Sequence, residues 1–363
     1  MSILFVLEHF YPYIGGAERL FWELATALAR EGYRVGVVTT RFRKGLPEEE
    51  EVSGVKIYRV NCRNRYYFTM ASLPAIRRLL PDYGLVHTTS YNAALPAWIA
   101  ARRSGKPVVV TFHEAWGPLW WRLPFASFPQ RLAFYCWERL LLRLPFERFI
   151  AVSEYTRREL IRQGVPENRV CRIYNGLDYK EFEAYTHRPP EVFTYTYFGR
   201  LGMSKGLDLL LPAARRMAQA HPDSHLKLIL PTYPEGMYKW VKKRIGELGL
   251  EGNITLLHDL SKERLMEEAC SSSCVVVPSY SEGFCFVAAE TVALGVPVAS
   301  SQQGALKEVV SGRFVEMEAM TTDALVRALE QAYAGSWQEK PARRFHLAES
   351  VAAYIALYRE LVS

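Results

Sequence analysis

The stretch PSYSEGFCFVAAETVALGVPVASS, residues 278–301, sets Glu282 and Glu290 eight residues apart, an E-x7-E spacing around the Gly283 turn that follows a buried apolar run. A carboxylate inside the helix at this point can accept hydrogen bonds from vicinal sugar hydroxyls, and the amides of residues 283–287 at the turn and helix start can cradle a phosphate. The competing structural reading makes Glu282 a helix N-terminal carboxylate favoured by the dipole and Glu290 a surface residue. A second stretch, FGRLGMSKGLDLLLPAA (198–214), puts Arg200 at a strand end and Lys205 before a helix that starts near Gly206. Arg supplies a planar fork and Lys a point charge, so together they can neutralise a diphosphate. Alone, they read equally as two solvated loop cations. No Asp-x-Asp pair announces a metal-dependent site, so no metal is expected, and no residue presents itself as a covalent nucleophile.

These residues need elements to hold them. ILFVL (3–7) is a continuous apolar run of the kind found in buried parallel strands. The apolar residues Leu20, Phe21, Leu24, Ala27 and Leu28 then recur at helical spacing, and RVGVVTT (34–40) reads as the next strand. Gly15 and Gly16 fall at the strand-to-helix turn, where glycine lets a ligand approach the backbone and the first helical amides face outward. An anion above Gly15 and Gly16 and a plain tight turn are both open readings. The alternation continues through GLVHTT (84–89), PVVVTF (107–112) and RFIAVS (148–153). It starts again at TYTYFGR (194–200), followed by LKLIL (226–230), NITLL (253–257), CVVVPS (274–279) and PVASS (297–301). Two doubly wound α/β domains are expected, joined by the polar stretch 175–190, with a ligand cleft between them outside the strands' carboxyl ends.

The 363 residues suit two domains, and 45 Lys+Arg against 38 Asp+Glu give a net charge of +7, which favours acidic ligands or surfaces. The six cysteines form no CxxC pair and no compact disulfide framework, so a reducing cytoplasm is expected. Glu8 and His9 interrupt the first apolar run too early for a signal peptide, and no uncharged stretch reaches the length of a membrane span.

The order of the opening glycine loop, VVVTFHE, IYNGLD, GRLGMSKG and SEGFCFVAAETVALGVPVA resembles the retaining GT-B glycosyltransferases of the family 4 type, over nearly the whole chain. The resemblance implies two Rossmann-like domains facing each other across a cleft. Residues 1–185, completed by a last helix at 344–363, would hold the acceptor, and residues 186–343 the donor. It implies transfer, with retention, of a hexose or N-acetylhexosamine from a UDP- or GDP-linked sugar, without a cofactor and without nucleic acid. Carried across, Arg200 and Lys205 grip the donor diphosphate and the amides around Phe284, Cys285, Phe286 and Val287 complete the grip. Glu290 binds the ribose, Glu282 touches the transferred sugar, and His113 lies beside its reacting face. Gly15 and Gly16 let the opening loop close on the donor phosphates or an acceptor group. Taken alone, His113 reads as a strand-end histidine, and Asn175 and Asp178 read as a hinge turn, with contact to the cleft as the alternative.

Three departures stand out. Cys285 replaces the usual second glycine and puts that loop's backbone geometry in question, PTYPEG (231–236) replaces a Gly-x-Gly turn near the nucleobase, and Glu114 stands where many relatives carry Asp. A dinucleotide oxidoreductase is disfavoured, because YPYIGGAE lacks G-x-G-x-x-G and RVGVVTTRF lacks the acidic residue expected after its strand. A non-catalytic nucleotide-sugar binder of the same fold would be expected to have lost Arg200, Lys205, Glu282 or Glu290, and all are present. Finally, residues 116–149 combine Trp116, Trp120, Trp121, Phe125, Phe128, Phe134 and Trp137 with Arg122, Arg131, Arg139, Arg143 and Arg148, and residues 63–80 have similar character. Such a surface suits peripheral contact with an anionic membrane, on the inner face of the cytoplasmic membrane, and so a lipid-linked or cell-envelope glycan acceptor. The alternatives are a core of aromatics with a solvated arginine rim, and a small soluble acceptor.

Overall fold

The apolar runs become strands buried on both faces, and the amphipathic stretches between them become the helices that cover those faces. In the computed structural model, which describes residues 1–13, 15–123 and 126–362, the chain forms two compact units. The first comprises Met1–Trp121, Ser127–Gly176 and His346–Ser363, and the second Arg122–Ala126 and Leu177–Phe345.

In the first unit, β1 (Ser2–Val6), β2 (Arg34–Thr40), β3 (Glu49–Val52), β4 (Val55–Val60), β5 (Leu85–Thr89), β6 (Val108–Phe112), β7 (Arg148–Ala151) and β8 (Val170–Arg172) form one sheet. Its order is β3-β4-β2-β1-β5-β6-β7-β8. Every neighbour is parallel except the β3–β4 pair. Helices α1 (Gly16–Arg30), α2 (Phe68–Leu79), α3 (Ala94–Arg103), α4 (Phe128–Arg143) and α5 (Glu154–Arg162) alternate with these strands. The register sets Phe5 of β1 between Val37 and His87, and the face of α1 carrying Leu20, Phe21, Leu24 and Leu28 is buried.

The second sheet repeats the pattern with β9 (Thr194–Phe198), β10 (His225–Ile229), β11 (Ile254–Leu257), β12 (Cys274–Val277), β13 (Val298–Ser300), β14 (Gly312–Glu316) and β15 (Gln338–Lys340), in the order β11-β10-β9-β12-β13-β14-β15. Only β15 is antiparallel to its neighbour. The helices here are α6 (Leu207–Ala220), α7 (Glu235–Leu248), α8 (Lys262–Cys270), α9 (Phe286–Ala293), α10 (Leu306–Val309) and α11 (Thr322–Tyr333).

The last helix, α12 (Leu347–Val362), belongs to the first unit. Tyr354 and Tyr358 are fully buried in the cluster that contains Phe5, Phe21 and Leu24, and the Ser350 hydroxyl donates to the Tyr174 carbonyl at 2.6 Å. Gly176 is the point of closest approach: a Cβ there would lie 2.4 Å from Cα of Leu347. Among the described residues no helix is long and apolar enough to cross a membrane, and all six cysteines are free.

Candidate functional site

Strand order locates the site. The second sheet grows from β9 toward β10 on one side and toward β12 on the other, and ligands of open α/β sheets bind beyond the carboxyl ends of strands at such a reversal. Arg200 follows β9, and Glu282 with its glycine loop follows β12. The first sheet reverses at β1, between β2 and β5, and there the rim carries the Gly15–Gly16 turn.

Around β9 and β12 the contacts are tight. Lys205 Nζ donates to Glu282 Oε1 at 2.7 Å, and the hydroxyl of Ser279, itself 1% exposed, donates to the same oxygen at 2.6 Å. Gly206 holds a left-handed conformation (φ 70°) at the start of α6, where a Cβ would stand 2.1 Å from the Pro278 carbonyl oxygen. Only glycine allows that approach, so the Lys205 turn is pinned against the exit of β12. Gly304 does the same for the other side of the Glu282 loop: it has φ 66°, a Cβ would come 2.4 Å from the Glu282 carbonyl oxygen, and Ala305 N donates to that oxygen at 2.8 Å. Arg200 is exposed on this rim and makes no ion pair among the described residues.

Cys285, whose side chain argues for a disturbed loop, takes the glycine conformation instead, with φ 76° and ψ 83°, and stands as the residue before α9. The loop therefore keeps a left-handed turn despite the Cβ. Burial pushes the thiol well above its usual range, and the Glu282 carboxylate adds to that effect, so Cys285 is held neutral. Phe284 is buried edge-on to Phe286 and Phe345, with ring centroids 5.3 and 5.1 Å away. The first intrahelical bond of α9 runs from Ala289 N to the Cys285 carbonyl at 3.2 Å, so the amides of Phe286 and Val287 precede the bonded ladder. Val287 reaches back toward β9: a Cβ on Gly199 would lie 3.8 Å from its Cγ2. Glu290, in the body of the same helix, is 7% exposed and so is no surface residue.

On the first unit's rim, a Cβ at Gly15 would stand 2.1 Å from Oε2 of Glu18, so the bare backbone makes room for a first-turn carboxylate, which the helix N-terminus favours. His113 follows β6 directly, half-buried, with its ring 6.0 Å from that of Phe21. Motif spacing gives no role to Glu8, just beyond β1, yet the structure makes it a hub. Its buried carboxylate pairs with Arg65 Nε at 2.7 Å, accepts from Asn92 Nδ2 at 2.8 Å and lies 3.4 Å from His9 Nε2. Burial raises the Glu8 pKa, and Arg65 opposes the rise. Asp178 accepts from Lys180 N at 3.1 Å and caps a short turn.

This arrangement is a pair of polar rims on two doubly wound sheets, one of them rich in phosphate-compatible donors. Residues 14–181 match Glycosyltransferase Family 4, and residues 179–346 match Glycosyl transferases group 1. The chain belongs to the family 4 type of GT-B glycosyltransferases.

It is similar to one component of the Homo sapiens phosphatidylinositol N-acetylglucosaminyltransferase, with 26% identity over 91% of this chain and 68% of that one. It is also similar to a D-inositol 3-phosphate glycosyltransferase of Rhodococcus jostii, with 28% identity over 62% of this chain and 52% of that one. The matches thus span between about half and two thirds of these relatives' lengths. Among solved structures, a sucrose-phosphate synthase of Thermosynechococcus elongatus superposes with a TM-score of 0.85 at 21% identity, covering 99% of this chain and 98% of that one. Anabaena HepE, solved with UDP and glucose, superposes with a TM-score of 0.75 at 18% identity, covering 99% of each chain.

The Trp/Arg segment of this glycosyltransferase divides into an inner and an outer part. Trp120 is buried against Trp116 and Phe134, at 4.5 and 5.0 Å between ring centroids, and Glu138 of α4 is buried beneath them, accepting from Trp116 N at 3.0 Å and Gly117 N at 2.6 Å. Arg139 donates to the Gln163 carbonyl at 2.7 Å and Arg148 pairs with Glu360 at 2.5 Å, so neither is an open surface charge. Among the residues α4 leaves outside are the apolar Phe128, Leu132 and Leu140 and the charged Arg143, and Trp121 at the segment's start is also exposed. Phe125 lies outside the described residues.

Proposed function

We propose that this glycosyltransferase moves a hexose or N-acetylhexosamine, with retention, from a UDP- or GDP-linked donor to a lipid-linked or cell-envelope glycan acceptor. The donor is assigned to the second domain and the acceptor to the first. The observation that carries this reading is the Lys205–Glu282 pair at the reversal point of the second sheet, beside Arg200 and the open amides of α9.

Departure of a diphosphate builds negative charge on the leaving oxygen while the sugar carbon becomes cation-like. Fixed cations and amides aimed at that oxygen lower the barrier most. Arg200, Lys205 and the amides of Phe286 and Val287 supply that charge without a metal. Glu290 holds the ribose hydroxyls, Glu282 a hydroxyl of the transferred sugar, and His113 flanks its reacting face. A donor phosphate oxygen takes the acceptor proton as attack proceeds from the front face. The UDP seen with HepE and the N-acetylglucosamine and phosphatidylinositol in the human relative's name are in keeping with this donor and acceptor chemistry.

The lipid-linked acceptor is favoured by exposed apolar groups beside cations. Phe128 is 68% exposed on α4, and Tyr66, Tyr67 and Met70, at 57, 52 and 77%, stand in the turn before α2 and in its first turn, on a segment that also carries exposed Arg63 and Arg77. Each cation near an anionic bilayer adds about 1 kcal/mol of attraction.

Hydrolysis of a nucleotide-sugar panel, which needs no acceptor, tests the donor assignment: one UDP- or GDP-sugar should be consumed, and consumption of none would overturn it. Sedimentation with phosphatidylglycerol vesicles tests the membrane contact. Binding at low salt should be lost when Phe128, Tyr66 and Met70 become Ser, and absence of binding would favour a soluble acceptor.

A further inference from the structure

Lys205 and Ser279 converge on a single oxygen, Oε1 of Glu282, at 2.7 and 2.6 Å. The two donors differ in what holds them. Lys205 ends a flexible side chain that keeps about a fifth of its surface exposed (20%). Ser279 is 1% exposed, two residues past β12, and its carbonyl accepts from the Ser301 hydroxyl at 2.6 Å. The main chain of Glu282 is fixed as well, between Gly304 and Ala305 N. One carboxylate oxygen is therefore saturated from inside the protein, and the other, Oε2, is the acceptor left for a ligand hydroxyl.

We propose that Ser279 is a positioning residue for the transfer reaction: it holds the Glu282 carboxylate in its working orientation once Lys205 turns from Glu282 to the donor diphosphate. This rests on the assignment of Glu282 to the transferred sugar. In the donor-free protein either donor could hold the carboxylate. When a diphosphate arrives, its charge competes with Glu282 for the Lys205 ammonium, and a carboxylate tethered by lysine alone would be released to rotate. A buried serine has no such freedom. It keeps Oε1 occupied and Oε2 directed at the sugar throughout the turnover, and it frees Lys205 for the leaving group at little cost to the geometry.

The test compares Ser279→Ala, Glu282→Ala and the double variant, in hydrolysis of UDP-glucose and UDP-N-acetylglucosamine and in calorimetric binding of UDP. Loss of the tether should lower kcat about 10- to 100-fold, the scale of a small misplacement at a reacting centre, while UDP affinity and donor KM stay within about twofold. In the Glu282→Ala background the serine substitution should add almost nothing, because there is no side-chain acceptor left to orient. Thermal unfolding of each variant excludes a global effect, and if Ser279→Ala fails to fold, Ser279→Cys, which keeps the volume and weakens the donor, takes its place. Near-normal kcat in a folded Ser279 variant, or full additivity in the double variant, overturns the proposal. Normal turnover in Glu282→Ala instead overturns the assignment of Glu282 itself, so the two failures are distinguishable.

Discussion

The hydroxyl of Tyr358 lies 2.5 Å from Nδ1 of the fully buried His87, whose Nε2 is 2.8 Å from the Thr111 hydroxyl, so α12 is bonded through one imidazole to β5 and β6. Burial pushes the His87 pKa down to about 3, with His113 adding to the effect, so the ring is neutral and offers one donor and one acceptor. Removing the phenol strands a buried ring nitrogen. Tyr358→Phe should cost about 1–3 kcal/mol in denaturant unfolding, and an unchanged midpoint would contradict this role.

The same histidine sets a pH dependence. The unfolded chain binds a proton near the ordinary value of about 6.5, which the folded ring refuses until about pH 3, so the unfolded state carries more protons between those values. Stability should therefore decrease as pH falls from about 6.5 toward 4, and His87→Gln should flatten that slope. Unfolding midpoints measured across this range check the sign.

Arg200→Ala should cut turnover about 100-fold, the scale of losing one preorganised stabiliser of developing charge, and activity should persist in EDTA because the cations at this rim belong to the protein. A variant with near-normal kcat, or a rate that vanishes in EDTA and returns with Mg²⁺, would count against the diphosphate assignment.

On the proposed ribose assignment, Glu290→Ala should weaken the binding of UDP and of the intact donor by the same factor. Calorimetry with UDP alone decides the matter: unchanged affinity removes Glu290 from the nucleoside site.

Two substitutions at left-handed positions should behave oppositely. Cys285→Gly relieves a conformation that costs a non-glycine residue about 1–2 kcal/mol, which offsets the lost burial of the thiol and leaves stability within about 1 kcal/mol of the parent. Gly206→Ala drives a Cβ against the Pro278 carbonyl and should destabilise by about 3 kcal/mol or more, with loss of turnover as the Lys205 turn shifts. Paired unfolding curves read both.

The strands legible in the sequence were the Val-, Ile- and Leu-rich runs buried on both faces, such as β2 and β6. The two antiparallel edge strands were not: β3 is EEEV and β15 is QEK, the latter fully exposed, and their backbones pair at the rims of the sheets without any apolar pattern to announce them. At the site, the loops carrying Lys205 and Glu282 were legible because each follows a buried run, yet nothing in the chain order said that the two side chains would bond to each other. Ser279 and Gly304 act through burial and close approach, which single residues do not declare. The His87–Tyr358 pair joins positions 271 apart, beyond the reach of any local pattern. Cys285 is the reverse case: its identity argued against a glycine turn, and the surrounding contacts imposed one.

After Gly176 the chain builds nearly all of the second unit and returns to the first only at His346. A ribosome therefore makes every strand of the second sheet before it makes the helix that covers Phe5, Phe21 and His87. The earlier half cannot close its own core until the later half has been synthesised, so it waits with part of that core open to solvent and is the portion most in need of chaperone protection during synthesis.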